Sequence, residues 1–132
     1  MRTKPCLTQA DARKMMAACL AEADKNDWEV TVAIVDDAGV LINLERMDGA
    51  PAISAAVAPE KAKCSALTKQ PTKFWEDRVK ERPAFANFPA GSLIEGAVPV
   101  IYDGECVGAI GVSGVQSSQD EQIARAGVAA LK

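Results

Sequence analysis

The chain has 132 residues, 48% of them apolar and 25% charged, with a formal net charge of −3. That length suits one domain, residues 1–132, able to bury about two thirds of its unfolded surface, and no apolar run approaches the ~18 residues of a membrane span. Histidine is absent, which excludes Ser-His-Asp and Cys-His catalysis, His-based zinc sites and His-ligated haem, and leaves any acid or base to Asp, Glu, Lys, Tyr or Cys.

The opening "MRTKPCLTQADARK" has early basic residues with no apolar stretch behind them. It does not read as a secretory signal, and a cytoplasmic location is expected. Cys6, Cys19, Cys64 and Cys106 form no C-x-x-C pair, so free and mostly buried thiols are expected and no metal site. Thr8 is expected to open a helix running to about residue 25, with Met15, Met16, Cys19, Leu20 and Ala23 recurring on one apolar face.

"VTVAIVDDAGVLINLERM" reads as two strands, about 30–36 and 40–46, hinged at Asp37-Ala38-Gly39. Alternation places Val40, Ile42, Leu44 and Arg46 on one face. Arg46 thus ends an apolar row, either as a ligand-facing cation or in a surface ion pair with Asp48. Residues 52–82 are helical in pattern but carry Pro59 and Pro71. Proline disfavours a helix interior, so a break or kink near 58 and a new start near 72, with Thr72 as a candidate cap, are expected. Lys61, Cys64 and Thr68 share one face of the middle segment. Residues 60–82 hold seven bases and four acids, too interleaved for a nucleic-acid stripe and more in keeping with a solvated helix face or a carboxylated ligand resting beside it.

"AVPVIYDGECVGAIGV" is the strongest local signal: two β-rich runs joined by Asp103-Gly104, a pair suited to a type I′ turn. Pro99 points to a sheet edge or to a position near the start of its strand. Alternation assigns Val107, Ala109, Gly111 and Ser113 to one face and Gly108, Ile110, Val112 and Gly114 to the other. The first row is unusually small, open to close packing by a helix or another subunit, or to a flat ligand. Gly127 repeats that cue in a C-terminal helix, where Ser118 and Glu121 stand in capping-box spacing and Asp120 complements the helix dipole. The G-x-x-G-x-x-G spacing of 108, 111 and 114 matches neither dinucleotide nor Walker fingerprints. Ser113 in "GVSGV" is one glycine short of a nucleophile elbow and has no histidine to serve it. Two hairpins set between helices imply an antiparallel sheet of four to five strands with helices packed on it, and exclude a Rossmann domain.

The stretches "VAIVDDAGVLINLERMDGAPAISAAVAPEKAKCSA" and "GAVPVIYDGECVGAIGVSGVQSSQDEQIARAGVAAL" resemble the GlcG/HbpS-like family, which includes the C-terminal domain of PduO proteins; the resemblance covers about residues 8–131. It implies a three-layer α/β/α sandwich around a central antiparallel sheet, assembled as a homo-oligomer, a dimer or higher ring. It also implies a small-molecule ligand, haem or a corrinoid-like tetrapyrrole in some members. Here no histidine can ligate haem, so Cys, Met, Tyr or Lys would have to serve, or the ligand be held without an axial bond. Glu95-Gly96 stands where the family usually has paired glycines.

Two functions follow. The first is a binding module for a flat or carboxylated molecule at Gly111, Ser113, Gly114, Lys61, Cys64 and Arg46, with no nucleic acid or membrane as partner. The second is a cofactor-independent isomerase, lyase or hydrolase of a small organic acid or aromatic catabolite. In that case Lys61 and Arg46 position a carboxylate while Glu45, Glu60, Glu95 or Asp120 moves a proton. Cys64 is the candidate thiol nucleophile of that reading, with a buried structural role as its alternative.

Overall fold

The computed structural model describes residues 1–131. Helix α1 spans Gln9–Lys25. Its start is fixed reciprocally: the Asp11 N–H donates to the Thr8 hydroxyl at 3.1 Å and the Thr8 N–H to Asp11 Oδ2 at 2.9 Å. Strands β1 (Thr31–Asp36) and β2 (Leu41–Arg46) form the first hairpin. Helices α2 (Ser54–Thr68) and α3 (Thr72–Glu81) follow, then a 3-10 turn over Pro83–Asn87. Strands β3 (Ala97–Tyr102) and β4 (Glu105–Ser113) form the second hairpin, and α4 spans Ser117–Ala129.

The sheet is antiparallel and four-stranded in the order β2-β1-β4-β3, the lower of the two expected strand counts. β1 is central, with β4 on one edge and β2 on the other, and it is buried on both faces because α1 and α4 cover Val32 and Ile34 while α2 covers Ala33 and Val35. Asp103 and Gly104 both take positive φ, 50° and 76°, as a type I′ turn requires, and Pro99 lies on the edge strand β3, where its missing N–H leaves no ladder bond broken.

The two sheet faces are packed with different side chains. On one, α1 and α4 bury Met15, Met16, Cys19 and Ile123 against Val32, Ile34, Ile110 and Val112; each fully buried aliphatic of this kind contributes about 1.5–3 kcal/mol. On the other, α2 lays Ala58, Ala62 and Ala66 on Ala33, Val35 and Ala109. The small side chains let α2 come close: a Cβ added at Gly111 would stand 2.3 Å from the Ala58 carbonyl oxygen. Gly127 does the same between α4 and α1, where an added Cβ would meet Cys19 Sγ at 2.3 Å. This is the three-layer α/β/α sandwich that the family resemblance implies, and its antiparallel sheet is the one expected from the hairpin order.

Several local expectations fail for identifiable reasons. Pro59 does not break the helix and stands inside α2. Its missing N–H deprives only the carbonyl of Ala55, one residue into the helix, while the alanine face beyond it is fully engaged with the sheet. Thr72 does not cap α3: Pro71 occupies that position, and the buried Thr72 hydroxyl accepts the Ala97 N–H at 3.0 Å. Ser118 and Glu121 do not form the capping box of α4; Gln116 begins that helix and its N–H donates to Gln119 Oε1 at 3.3 Å. Both strand rows lose their phase at bulges, between Ile34 and Val35 against β2 and between Val100 and Ile101 against β4. Ile42 and Val107 consequently join the α1/α4 core, whereas Leu44 and Ala109 join the α2 core.

Candidate functional site

At the end of the sheet where β3 begins and β4 runs out, α2 sends Lys61 beneath the strands. The Lys61 side chain is 3% exposed. Its ammonium donates to the Val112 carbonyl at 3.0 Å and to Asp120 Oδ2 at 3.1 Å. The other carboxylate oxygen of Asp120 accepts the Val115 N–H at 3.2 Å, so this residue holds the strand-to-helix turn as well as the charge. Burial pushes the Asp120 carboxyl above its ordinary range, and the neighbouring ammonium offsets part of that. Gly96 covers the pair: its φ is 141°, and an added Cβ would stand 2.6 Å from Lys61 Nζ, which explains glycine at that place in the sequence.

Glu95 lies one residue outside this pair, half-buried, its N–H donating to Glu76 Oε1 at 3.2 Å. Burial raises its carboxyl, and the negative charge of Glu121 raises it further. Glu121 pairs through Oε2 with Arg125 Nε at 3.2 Å, while its Oε1 is buried without a hydrogen-bond partner among the described residues. Lys73 faces Asp77 at 2.9 Å and Glu76 at 3.5 Å on the same rim. Glu121 was hidden in the sequence by its spacing from Ser118, which mimics a cap.

The other expected site residues are dispersed. Arg46 is exposed, donates to the Ala50 carbonyl at 3.2 Å, and stands in register with Thr31, which in turn stands in register with Ser113. Arg46 and Ser113 therefore flank Thr31 at one end of the sheet, two strand spacings apart, about 10 Å. Glu45 pairs in register with Val32 and lines a shallow depression of about 370 Å³ with Asp24, Glu29 and Asp48. Glu60 is exposed on the outer side of α2. Gly111 lies under α2, and Gly114 takes φ 143° against the Glu29 carbonyl. The bare face of β4 is thus filled by a helix at Gly111, the close-packing alternative. Cys64 is fully buried and burial pushes its thiol up to about 11, an environment that disfavours the thiolate.

Of the seven bases in 60–82, Lys61 is buried, Lys73 and Lys80 face Asp77, and Arg78 and Arg82 lie over the Phe74 and Phe85 rings. These rings belong to an aromatic cluster in which Trp75 stacks on Phe88 at 4.8 Å. Beside it, Val79, Lys80, Ala86, Leu93 and Ile94 line an open groove of about 520 Å³ with Glu76 at its rim, a volume within the range of small-molecule sites.

For haem the donor set is restrictive. Cys19, Cys64, Cys106, Met15 and Met16 are buried in the core, while Cys6 and Tyr102 line a separate cleft of about 280 Å³. The residues do not fit imidazole-ligated haem, since the chain has no histidine. Among the described residues no helix is long and apolar enough to cross a membrane.

A family model described as "Haem degrading protein HbpS-like" matches residues 7–129. Protein GlcG of Escherichia coli K12 is 44% identical over 114 residues, covering 86% of this chain and 85% of the relative. Among solved structures, a Streptomyces reticuli HbpS double mutant superposes with a TM-score of 0.93 at 34% identity over 100% of this chain and 91% of its own. A PduOC:haem complex superposes with a TM-score of 0.88 at 27% identity, covering 96% and 95%.

Proposed function

The chain belongs to the HbpS-like family, and on that premise we propose that it is a small-molecule-binding protein whose ligand is flat, partly apolar and carboxylate-bearing. The observation that carries this reading is the likeness to a haem-bound relative over nearly the whole of both chains. The absence of histidine favours a ligand held by shape and ion pairing over one held by an axial imidazole. In this reading the groove's Val79, Ala86, Leu93 and Ile94 supply apolar walls, and Lys80 supplies the cation. The protein works in this reading as a homo-oligomer.

Titration with haem and with metal-free protoporphyrin tests it. Saturable binding of both, without the Soret shift of an imidazole complex and weakened by Lys80→Ala, supports the reading; failure of both to saturate removes the tetrapyrrole class. A second reading, a cofactor-independent enzyme acting on a small organic acid, is favoured by the raised carboxyl of Glu95 on an otherwise charged rim. Turnover of such an acid that is abolished by Glu95→Gln, with binding retained, would establish it.

A further inference from the structure

One hydrogen bond at the end of the sheet is made to sulfur. Val30 and Met47 continue the β1–β2 ladder one residue beyond the Thr31–Arg46 pair. Two residues so placed normally exchange both N–H···O bonds, and here half of the exchange survives. The Met47 N–H donates to the Val30 carbonyl at 3.0 Å, while the Met47 carbonyl turns away to accept the Ala50 N–H at 3.0 Å. The Val30 N–H donates instead to Met47 Sδ at 3.4 Å. Thioether sulfur is a weak acceptor, and Val30 is fully buried, so solvent does not compete for that N–H.

Met15 and Met16 are closed off in the core at 0% and 3% exposure. Met47 is half-buried and lines the depression of about 370 Å³ at the end of β2. Behind its hydrogen-bond partner there is no slack: a Cβ added at Gly114 would stand 2.7 Å from the Glu29 carbonyl oxygen and 2.9 Å from Val30 Cα. The next residue, Val115, gives its N–H to Asp120, the partner of Lys61. We propose that Met47 is an oxidation site whose state is transmitted to the start of β1. A hydroperoxide transfers one oxygen to the sulfur: an S–O bond forms on a sulfur lone pair as the O–O bond breaks, and the proton of the transferred hydroxyl passes to the departing oxygen, which leaves as water or an alcohol. The sulfur loses two electrons and the peroxide gains them. An N–H···O bond alone spans about 2.9 Å, so the added oxygen does not fit within the 3.4 Å between the Val30 nitrogen and Sδ. The sulfoxide must push the Val30 amide toward Gly114 or turn away and leave it unpaired. The site is independent of the ligand reading above.

Hydrogen peroxide treatment of the full chain in a Cys6→Ser background, which removes the exposed thiol, tests it. Peptide mass mapping should find oxygen at Met47 and at the exposed Met1, and none at Met15 or Met16 while the protein stays folded. Hydrogen exchange of the Val30 amide should then speed up about tenfold or more as its bond is lost. The same protein carrying Met47→Leu still takes oxygen at Met1; its Val30 amide should exchange quickly before peroxide and no faster after it. Met47 oxidised no sooner than Met15 and Met16, or oxidised with Val30 exchange unchanged, overturns the proposal. So does a Met47→Leu protein in which peroxide still speeds that exchange.

Discussion

The Lys61 ammonium and the Asp120 carboxylate meet at 3.1 Å with each side chain 3% exposed, tying α2 to α4 across the end of the sheet. Removing one partner of such a pair leaves the other charge buried and uncompensated, at a cost of about 3–5 kcal/mol. Lys61→Met should show that loss in urea unfolding at neutral pH. With the ammonium gone, the native state favours the neutral acid, so the folded pKa of Asp120 moves further above 3.8. The native state then binds more protons than the unfolded chain between those two values, and stability falls as pH rises through that window. The deficit of the variant should therefore be smaller in acid than at neutral pH. Adding Asp120→Asn should recover most of it, because the amide oxygen still accepts the Val115 N–H and carries no charge.

The approach of α2 to β4 has its own test. An added Cβ at Gly111 stands 2.3 Å from the Ala58 oxygen and 2.6 Å from the Ala62 nitrogen, backbone on both sides with nothing flexible to yield. Gly111→Ala should cost about 3 kcal/mol. At Gly104 nothing lies within 4 Å and only the φ of 76° resists, so Gly104→Ala should cost about 1 kcal/mol. Urea midpoints at constant slope measure both, and equal costs would show that α2 can shift away from the sheet.

The hairpins were legible in the sequence because local rules write them. Asp103-Gly104 dictates its turn, and Thr8 marks the start of α1. What was illegible is set by distant partners. The bulges that move Ile42 and Val107 to the other core arise from strand pairing, which alternation within one strand does not contain. Pro59 misleads for the same reason, since the packing of Ala58 and Ala62 on Gly111 holds α2 continuous through it. Lys61 and Asp120 were both singled out, but 59 positions separate them and no spacing rule joins them. The close packing at Gly111 and Gly127 was foreseeable from the glycines themselves, because a missing side chain in a strand or helix is itself the signal.

The four thiols should divide sharply. Cys6 is exposed while Cys19, Cys64 and Cys106 are buried, and burial lifts the Cys19 thiol to about 12 and that of Cys64 to about 11. Ellman's reagent should modify one thiol quickly in the native protein and the other three only on unfolding. Cys6→Ser should abolish the fast phase. A fast phase that survives in Cys6→Ser would show that a core thiol is reached by opening of the fold.

Glu95 offers a direct reading of the charged rim. Its carboxyl is raised above 4.5 first by burial and next by Glu121, with Glu76 and Asp77 adding in the same sense and Lys73 opposing them. Carbon-13 NMR of the side-chain carboxyls should place its midpoint above those of exposed glutamates. Glu121→Gln removes one like charge and should lower that midpoint without bringing it to 4.5, because burial remains; Lys73→Met should raise it. The linkage has a definite sign: between 4.5 and the folded value the native state holds the proton more tightly than the unfolded chain, so this group's contribution to stability falls as pH rises through that window. Glu95→Gln should flatten that part of the stability profile. An unchanged Glu95 midpoint in Glu121→Gln would mean that the two carboxylates do not share one rim, and would remove the electrostatic basis for assigning Glu95 a proton-transfer role.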